Sequence, residues 1–222
     1  MKQIIALWTA FCCVAIFAEE PKPDAEGWVS LLNSKDTTGW RLRHGNKSSW
    51  SVTDGVLKND PKGHGVDLIS EVPIGDCELH VEFMVPKGSN SGVYLQGRYE
   101  IQVDDSFGMP ADSHHTGGIY NKITPKSNAS KPAGEWQSFD VVFRQAGLDD
   151  ASKVLKKARV SVIHNGQKII EDAEIDGPTG SAVDTEEGKP AGLMLQGDHG
   201  IVSYRNIKMR PIKTESKPAA AR

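Results

Sequence analysis

The sequence predicts an all-β protein, built as a two-sheet antiparallel jelly-roll sandwich. Short β-type runs alternate with turn residues along most of the 222 residues, and no helical periodicity persists over two turns. The 22 glycines and 12 prolines are spread along the chain, as expected of many turns. Asn165-Gly166 and Asp54-Gly55 each separate two β-type runs, and such dipeptides favour the positive φ angles of tight hairpins.

The predicted strands follow one another closely through the chain. Cys77–Val85 is the clearest, because apolar residues at every second position alternate with Glu78, His80 and Glu82. Ala146–Lys157 is the one segment that could form a short helix, and it is equally compatible with a loop. In chain order, the predicted strands are Val29–Leu32, Trp50–Val52, Val56–Lys58, Asp67–Ser70, Cys77–Val85, Gly92–Leu95, Tyr99–Val103, Trp136–Phe143, Arg159–His164, Lys168–Glu171, Gly192–Gln196 and Val202–Met209.

The start of the chain has the composition of an export signal. Lys2 precedes a nearly continuous apolar stretch that ends at Ala18, and two glutamates follow. The stretch is shorter than the roughly 20 apolar residues that span a bilayer. We therefore predict a periplasmic or secreted protein without stable membrane insertion, with an uncleaved anchor helix as the alternative. The predicted divisions are a signal peptide (1–18), a flexible linker (19–26), the β-sandwich (27–212) and a disordered tail (213–222).

Charge and cysteine content narrow the functional classes. The net charge is −3 and no long basic stripe occurs, so nucleic acid is not an expected partner. Only Cys77 lies beyond the predicted leader, so the domain has no internal disulfide to form. We expect Cys77 to be a small buried strand residue rather than a nucleophile.

One predicted hairpin concentrates polar side chains on a single face. A three-residue loop at Gln96–Arg98 would pair Tyr94 with Glu100 and leave the apolar residues together, whereas a two-residue loop would mix the faces. Tyr94, Glu100 and Gln102 would then share one solvent-facing surface. These side chains can exchange hydrogen bonds with hydroxyl groups, which favours a sugar site; an ordinary solvated sheet face is the alternative.

Two further segments carry polar clusters. Asp198-His199 lies between glycines after a predicted strand, where a loop histidine could act as a base. The connection Asp112–Trp136 is long and sparsely apolar, which is typical of functional loops. Its His114-His115 pair lacks partners at zinc spacing, so a tight zinc site is not expected, but a divalent cation held by loop oxygens stays open. No other cofactor is predicted.

Several motifs in order make the chain, from about Gly27 to Ile212, similar to a known family. It resembles the bacterial 3-keto-disaccharide hydrolase family, which has a concanavalin A-like lectin/glucanase sandwich. The resemblance implies glycoside cleavage of sugars oxidised at C3, by 1,2-lyase and hydratase steps. The family's acid after its Glu-x-Gln-x motif corresponds to Asp105, with Asp104 as an extra acid. The matching motifs are Ser91–Gly97, Tyr99–Val103, Asn128–Trp136, Leu195–Gly200 and Tyr204–Ile207.

The candidate site follows from the polar face, the loops and the resemblance. Glu100 and His199 are the predicted catalytic residues, and either could be the base. One of Tyr204 and Arg205 must face the core, because they are neighbours on a strand. The predicted substrate-binding residues are Tyr94, Arg98, Gln102, Asp105, His114, Tyr120, Lys131, Gln196 and Arg205.

The strand also bears on the mechanism. Same-face neighbours on a strand are about 6.6 Å apart, a spacing that would suit a pair of catalytic carboxyl groups. Position 102, however, is Gln, which disfavours a conventional two-carboxylate glycosidase. A 3-keto group acidifies the C2 proton, so one base could start an elimination at C1. The alternative from another class is a non-catalytic, lectin-like module with Tyr94, Tyr120 and Trp136 as stacking surfaces. A protein-interaction sandwich is disfavoured, because it would need an exposed apolar sheet face.

Overall fold

A computed structural model of the chain describes residues 21–62 and 64–212, so the predicted signal peptide and tail lie outside the described residues. Across these ranges no residue is helical, and there is thus no helix long and apolar enough to cross a membrane. The strands are β1 (Val29–Ser30), β2 (Trp40–Leu42), β3 (Trp50–Thr53), β4 (Val56–Asn59), β5 (Leu68–Ile74), β6 (Cys77–Met84), β7 (Asn90–Leu95), β8 (Tyr99–Asp104), β9 (Gln137–Arg144), β10 (Gly147–Leu148), β11 (Val154–Lys156), β12 (Arg159–His164), β13 (Gln167–Glu174), β14 (Ala191–Leu195) and β15 (Val202–Pro211).

The strands form two main antiparallel sheets, which confirms the predicted sandwich. The larger sheet has the order β13-β12-β9-β6-β15-β4-β3, with β1 added to β15. The smaller sheet has the order β2-β5-β14-β7-β8. Side chains from both sheets share one core, and Tyr204 of β15 exchanges a hydrogen bond with Ser91 of β7 at 2.8 Å. Tyr204, not Arg205, is therefore the inward-facing neighbour on β15.

Strand β6 shows how the alternating pattern forms this core. Every second side chain from Cys77 to Phe83 is at most 1% exposed, and the residues between them are half-buried on the outer face. The ring of Phe83 packs 4.6 Å from that of Phe139 on β9. Fully burying one such side chain contributes about 1.5–3 kcal/mol. Burial raises the pKa of Cys77 to about 12, so its thiol is protonated and unreactive, as expected of a packing residue.

The turn predictions have different outcomes. Asn165-Gly166 and Asp54-Gly55 adopt positive φ and join the hairpins β12–β13 and β3–β4, which confirms both. The helix considered for Ala146–Lys157 is wrong, because this segment contains the hairpin β10–β11. The Asp149 carboxylate accepts backbone N–H groups of the turn, and this local bonding closes a hairpin instead of a helix.

The predicted pairing of β7 with β8 is confirmed. Leu95 pairs with Tyr99 and Tyr94 with Glu100, which leaves the three-residue loop at positions 96–98. Val93 and Leu95 face the core, and Tyr94 and Glu100 face away from it. The hairpin thus carries its polar side chains on the outer side of the smaller sheet.

Candidate active site

A small hollow of about 100 Å³ lies on the outer side of the smaller sheet. It brings together side chains of the β7–β8 hairpin, the loop after β8, the segment before β14 and the loop after β14. Most of the predicted candidates meet here, including both predicted catalytic residues. The lining residues are Asn90, Tyr94, Glu100, Gln102, Tyr120, Gly180, Ser181, Gln196 and His199.

Two larger grooves lie elsewhere and have a different chemistry. One, of about 710 Å³, is lined mainly by aliphatic side chains and backbone between Val29 and Pro73, and Glu71 is its one ionisable lining residue among those described. The other, of about 450 Å³, contains His80 and Glu82, but these pair with Asp140, Arg205 and each other. The small hollow is the better candidate, because its lining combines a buried carboxyl group, Glu100, with a half-exposed histidine, His199.

The polar face was predicted to face solvent, but the structure shows that it is buried. Tyr94, Glu100 and Gln102 are at most 3% exposed, because two segments from elsewhere in the chain cover them. One segment extends the sheet along the edge of β8, where the Tyr120 N–H donates to the Glu100 carbonyl at 3.1 Å. The second segment is fixed by Thr179, whose hydroxyl accepts the Glu100 N–H at 3.0 Å. The predicted wet surface is instead the buried floor of a hollow.

The Glu100 side chain leans across β7, over Gly92. A Cβ atom at Gly92 would overlap Oε1 of Glu100 and come within 2.9 Å of the Tyr94 ring. The missing side chain at position 92 therefore provides the room in which the carboxyl group sits. This requirement of close approach explains a glycine inside a strand.

Burial dominates the electrostatics of Glu100. It raises the pKa of this carboxyl group from 4.5 to about 7, and the negative charges of Asp67 and Asp198 act in the same direction. Hydrogen bonding with Tyr94 and the charge of His199 lower the pKa and offset part of the effect. A carboxyl group that titrates near neutral pH can take up and return a proton during turnover.

Tyr94 remains a proton donor beside this carboxyl group. Burial, followed by the charge of Glu100, raises the pKa of the Tyr94 hydroxyl above its ordinary value. The hydroxyl donates to the Gly180 carbonyl at 3.2 Å. It has one proton, so it can redirect that proton when Glu100 or a bound oxygen offers a stronger acceptor.

His199 reaches the hollow from the loop after β14. Its Nδ1 pairs with the carboxylate of its neighbour Asp198, which leaves Nε2 available to a ligand. Half of the His199 side chain is exposed. The arrangement suits a group that exchanges protons with both substrate and solvent.

Two buried glutamines lack partners for their side-chain oxygens. Gln102 and Gln196 line the hollow and are 3% and 5% exposed. Among the described residues, neither Oε1 atom has a hydrogen-bond partner. Leaving such an oxygen buried and unpaired costs about 1–3 kcal/mol, and a ligand hydroxyl would recover this energy. Both oxygens can therefore accept hydrogen bonds from ligand hydroxyl groups.

The two predicted arginines lie outside the hollow. Arg98 is buried and its guanidinium pairs with Asp184 at 2.6 Å, so it anchors the segment 179–184 over the polar face. Arg205 lies on the larger sheet, away from the hollow. It pairs with Glu82 on the neighbouring strand β6 and stacks over the ring of Trp136, 4.0 Å from its centroid. Neither arginine lines the hollow, because each charge is satisfied by an acid that is distant in sequence.

Three other predicted binding residues also lie outside the hollow. Asp105 accepts the Gly88 N–H at 2.9 Å, and the Lys131 ammonium donates to the Trp136 carbonyl at 3.0 Å. The His114 ring meets the Tyr120 ring edge-on at 5.1 Å. His114 is thus placed to support a lining residue rather than to line the hollow.

Sequence reasoning missed three lining residues. Asn90 begins β7. Gly180 and Ser181 lie in the segment 179–184, which covers the polar face next to Thr179. Asn90 shares a face with Gly92 and Tyr94, so alternation along β7 could have included it. Gly180 and Ser181 carry no local signal, because distant contacts bring their segment to the site. No group of three or more His, Cys, Asp or Glu side chains in the described ranges could hold a metal ion.

Comparisons with known proteins agree with the fold and with the predicted resemblance. The chain is 26% identical to a 3-keto-disaccharide hydrolase of Bacteroides thetaiotaomicron, in a match that covers 54% of this chain and 53% of that protein. The match thus spans about half the length of this relative.

Solved structures of two proposed glycosyl hydrolases from Parabacteroides distasonis have the same architecture. The first has a TM-score of 0.72 at 26% identity and covers 93% of this chain and 100% of its own. The second has a TM-score of 0.64 at 20% identity, covers 85% and 96% respectively, and shows the fold alone.

A protein family also matches nearly the whole sandwich. Its match extends over residues 27–210, which is most of the described structure. The chain belongs to the 3-keto-α-glucoside-1,2-lyase-like domain family.

Proposed function

We propose that this chain cleaves glycosides of 3-keto sugars by eliminating the C1 substituent and then adding water. The observation that carries the proposal is Glu100: a single buried carboxyl group with a pKa of about 7, in a hollow that also contains His199 and unpartnered amide oxygens. Family membership and the hydrolase from Bacteroides thetaiotaomicron support the same chemistry.

Glu100 is the proposed base. The C3 ketone makes the proton on C2 acidic, because the electron pair left behind delocalises onto the ketone oxygen. At neutral pH a large fraction of Glu100 is ionised, and its burial makes it a stronger base than an ordinary exposed carboxylate. A base with a pKa of about 7 suits removal of the C2 proton at neutral pH.

Neighbouring groups would stabilise the enolate and the leaving group. Tyr94 and the amide groups of Gln102 and Gln196 offer donors to the developing oxyanion and to ring hydroxyls. His199, whose Nδ1 is held by Asp198, is the proposed donor of a proton to the departing C1 oxygen.

The steps balance without a redox partner. Glu100 takes the C2 proton, the C1–O bond breaks, and His199 protonates the released alcohol, which leaves a C1–C2 double bond conjugated with the ketone. Water then adds its oxygen to C1 and gives one proton to His199, while Glu100, whose proton has meanwhile exchanged with solvent, protonates C2. The net reaction is hydrolysis, and the ketone is regenerated.

A conventional glycosidase mechanism is less compatible with this hollow. Such enzymes place two carboxyl groups across the scissile bond. Among the residues described as lining the hollow, Glu100 is the one carboxylate. Burying the Glu100 carboxyl group raises its pKa and lowers the stability of the fold at neutral pH. A protein that only binds sugar would not need this burial, so the burial also favours an enzyme.

Incubation with 3-keto-trehalose and with plain trehalose tests the proposal. The wild-type protein should release 3-keto-glucose from the oxidised sugar and leave trehalose intact. Glu100→Gln should lower kcat by about 10²–10⁴-fold while retaining ligand binding. Glu82→Gln, the same change on the opposite sheet, should leave kcat within twofold. Cleavage of unoxidised trehalose, or full activity of Glu100→Gln, would contradict the proposal.

A further inference from the structure

Two loops that are far apart in sequence contribute to the hollow. Gly180 and Ser181 belong to the segment before β14, and His199 belongs to the loop after β14. Neither loop is part of a sheet, so other contacts must hold each of them at a fixed distance from Glu100. One ion pair outside the hollow contacts both.

Arg43 adds a further contact to the first loop, which Thr179 and the Arg98–Asp184 pair also hold. Its guanidinium donates to the Ser181 carbonyl at 2.8 Å and to the Ala182 carbonyl at 2.9 Å. The same group donates to the Asp67 carboxylate at 3.0 Å. The planar fork of an arginine can make these contacts at once, whereas a lysine ammonium is a single charged point.

Asp67 holds the second loop. Its other carboxylate oxygen accepts the Gly197 N–H at 3.0 Å, immediately before Asp198 and His199. The side chain of Asp67 is 7% exposed, so both its contacts are largely shielded from solvent. A Cβ atom at Gly197 would overlap the Val66 carbonyl, so this loop packs closely against the strand that Asp67 precedes.

The backbone at Ser181 indicates that its loop is constrained. Ser181 has a φ of 57°, a conformation that non-glycine residues rarely adopt and that surrounding contacts must maintain. Arg43 provides one of these contacts directly, at the Ser181 carbonyl.

We propose that Arg43 and Asp67 are positioning residues that couple the Gly180–Ser181 loop to the Asp198–His199 loop and so fix the geometry around Glu100. This inference rests on the proposed function, because it treats Glu100 and His199 as partners in one reaction. The Asp67 charge also raises the pKa of Glu100, so the same residue affects both the shape and the proton affinity of the site.

Arg43→Ala should loosen both loops and slow turnover. Misplacement of a reacting group by about 1 Å can cost about 10²-fold, so we expect kcat/KM for 3-keto-trehalose to fall 10- to 100-fold. Arg43→Lys should recover part of the loss, because it keeps the charge but not the fork. Arg159→Ala is the matched control: this arginine pairs with Asp172 and Glu174 on the larger sheet, and its loss should change kcat/KM by less than twofold.

The variants should fold, because Asn59 also supports the second loop. Its amide group donates to the carbonyls of Gly197 and Gly200, both at 2.8 Å. Asp67→Asn keeps an oxygen that can accept the Gly197 N–H but removes the charge. Since that charge raises the pKa of Glu100, the acidic limb of the kcat/KM profile should move to lower pH in Asp67→Asn. A purely structural loss would lower activity without moving this limb.

Amide hydrogen exchange tests the coupling without any turnover. In Arg43→Ala, exchange should accelerate at least tenfold in residues 180–183 and also in residues 196–200, while the hairpin at 165–168 stays unchanged. Acceleration confined to 180–183, an unshifted limb in Asp67→Asn, or kcat/KM of Arg43→Ala within twofold of wild type would overturn the proposal. If the wild-type protein does not act on 3-keto-trehalose, the proposed function fails, and the exchange data alone decide whether Arg43 couples the loops.

Discussion

Replacing Glu100 with glutamine should stabilise the fold above neutral pH while it removes activity. The pKa of Glu100 is raised from 4.5 to about 7, chiefly by burial. Between these values the folded chain keeps a proton that the unfolded chain has released, so stability falls as pH rises through this window. Each pKa unit corresponds to about 1.36 kcal/mol, which gives a cost of about 3 kcal/mol above pH 7. Glutamine has no charge to bury and avoids this cost.

Unfolding of wild type and Glu100→Gln by urea at pH values from 4 to 9 would measure the effect. The two free energies of unfolding should be similar near pH 4 and should diverge by about 3 kcal/mol at pH 8.5. For a domain of this size the divergence corresponds to roughly 6–12 °C in Tm. A difference that stays constant with pH would refute the reasoning, because it would mean that Glu100 ionises normally in the folded state.

Glu82→Gln is a control with the opposite sign. Hydrogen bonds from Asn206 and Arg205 lower the pKa of Glu82 despite its partial burial. A carboxylate with a depressed pKa contributes stability above its unfolded pKa and loses it as pH falls through the folded value. Glu82→Gln should therefore destabilise the protein at neutral pH, and the difference from wild type should shrink in acid.

Two further substitutions and one measurement on the unchanged protein test other parts of the account. Gly92→Ala should displace the Glu100 carboxyl group, because the added Cβ would overlap it, and should lower kcat/KM by about 10²-fold with little change in expression. Gln102→Leu removes a buried, unpartnered oxygen, so the free protein should lose no stability while KM for the 3-keto sugar rises about tenfold. If the predicted export signal is cleaved after Ala18, protein recovered from the bacterial periplasm or medium should begin at Glu19. N-terminal sequencing measures this, and protein that still begins at Met1 would contradict the cleavage.

The fold was largely predictable, because local rules determine it. Alternation along Cys77–Met84 specifies which side chains face the core, and the φ preferences of Asn165-Gly166 specify a hairpin. The same alternation predicted that Tyr94 and Glu100 lie side by side. The segment at 147–156 was harder, because an Asp149 carboxylate that closes a turn competes with weak helical propensity.

The site was only partly predictable, because its burial depends on contacts that are distant in sequence. Alternation indicates the face on which Glu100 lies, but not that residues 117–120 and 179–184 fold over it. The two arginines lie outside the hollow for the same reason. Nothing local to Arg98 or Arg205 shows that Asp184 and Glu82 will neutralise them. Arg43 and Asp67 belong to no sequence motif, and only their hydrogen bonds in the folded structure connect them to the site.

The fate of the hydrogen on C2 tests the central claim most directly. If the reaction proceeds by elimination and hydration, the original C2 proton passes to Glu100 and can exchange with solvent before a proton returns. Cleavage of 3-keto-trehalose in D₂O should therefore give 3-keto-glucose that carries deuterium at C2, well above the level in free 3-keto-glucose incubated with Glu100→Gln. Product that keeps its original hydrogen at C2 would contradict the account and would indicate direct displacement at C1.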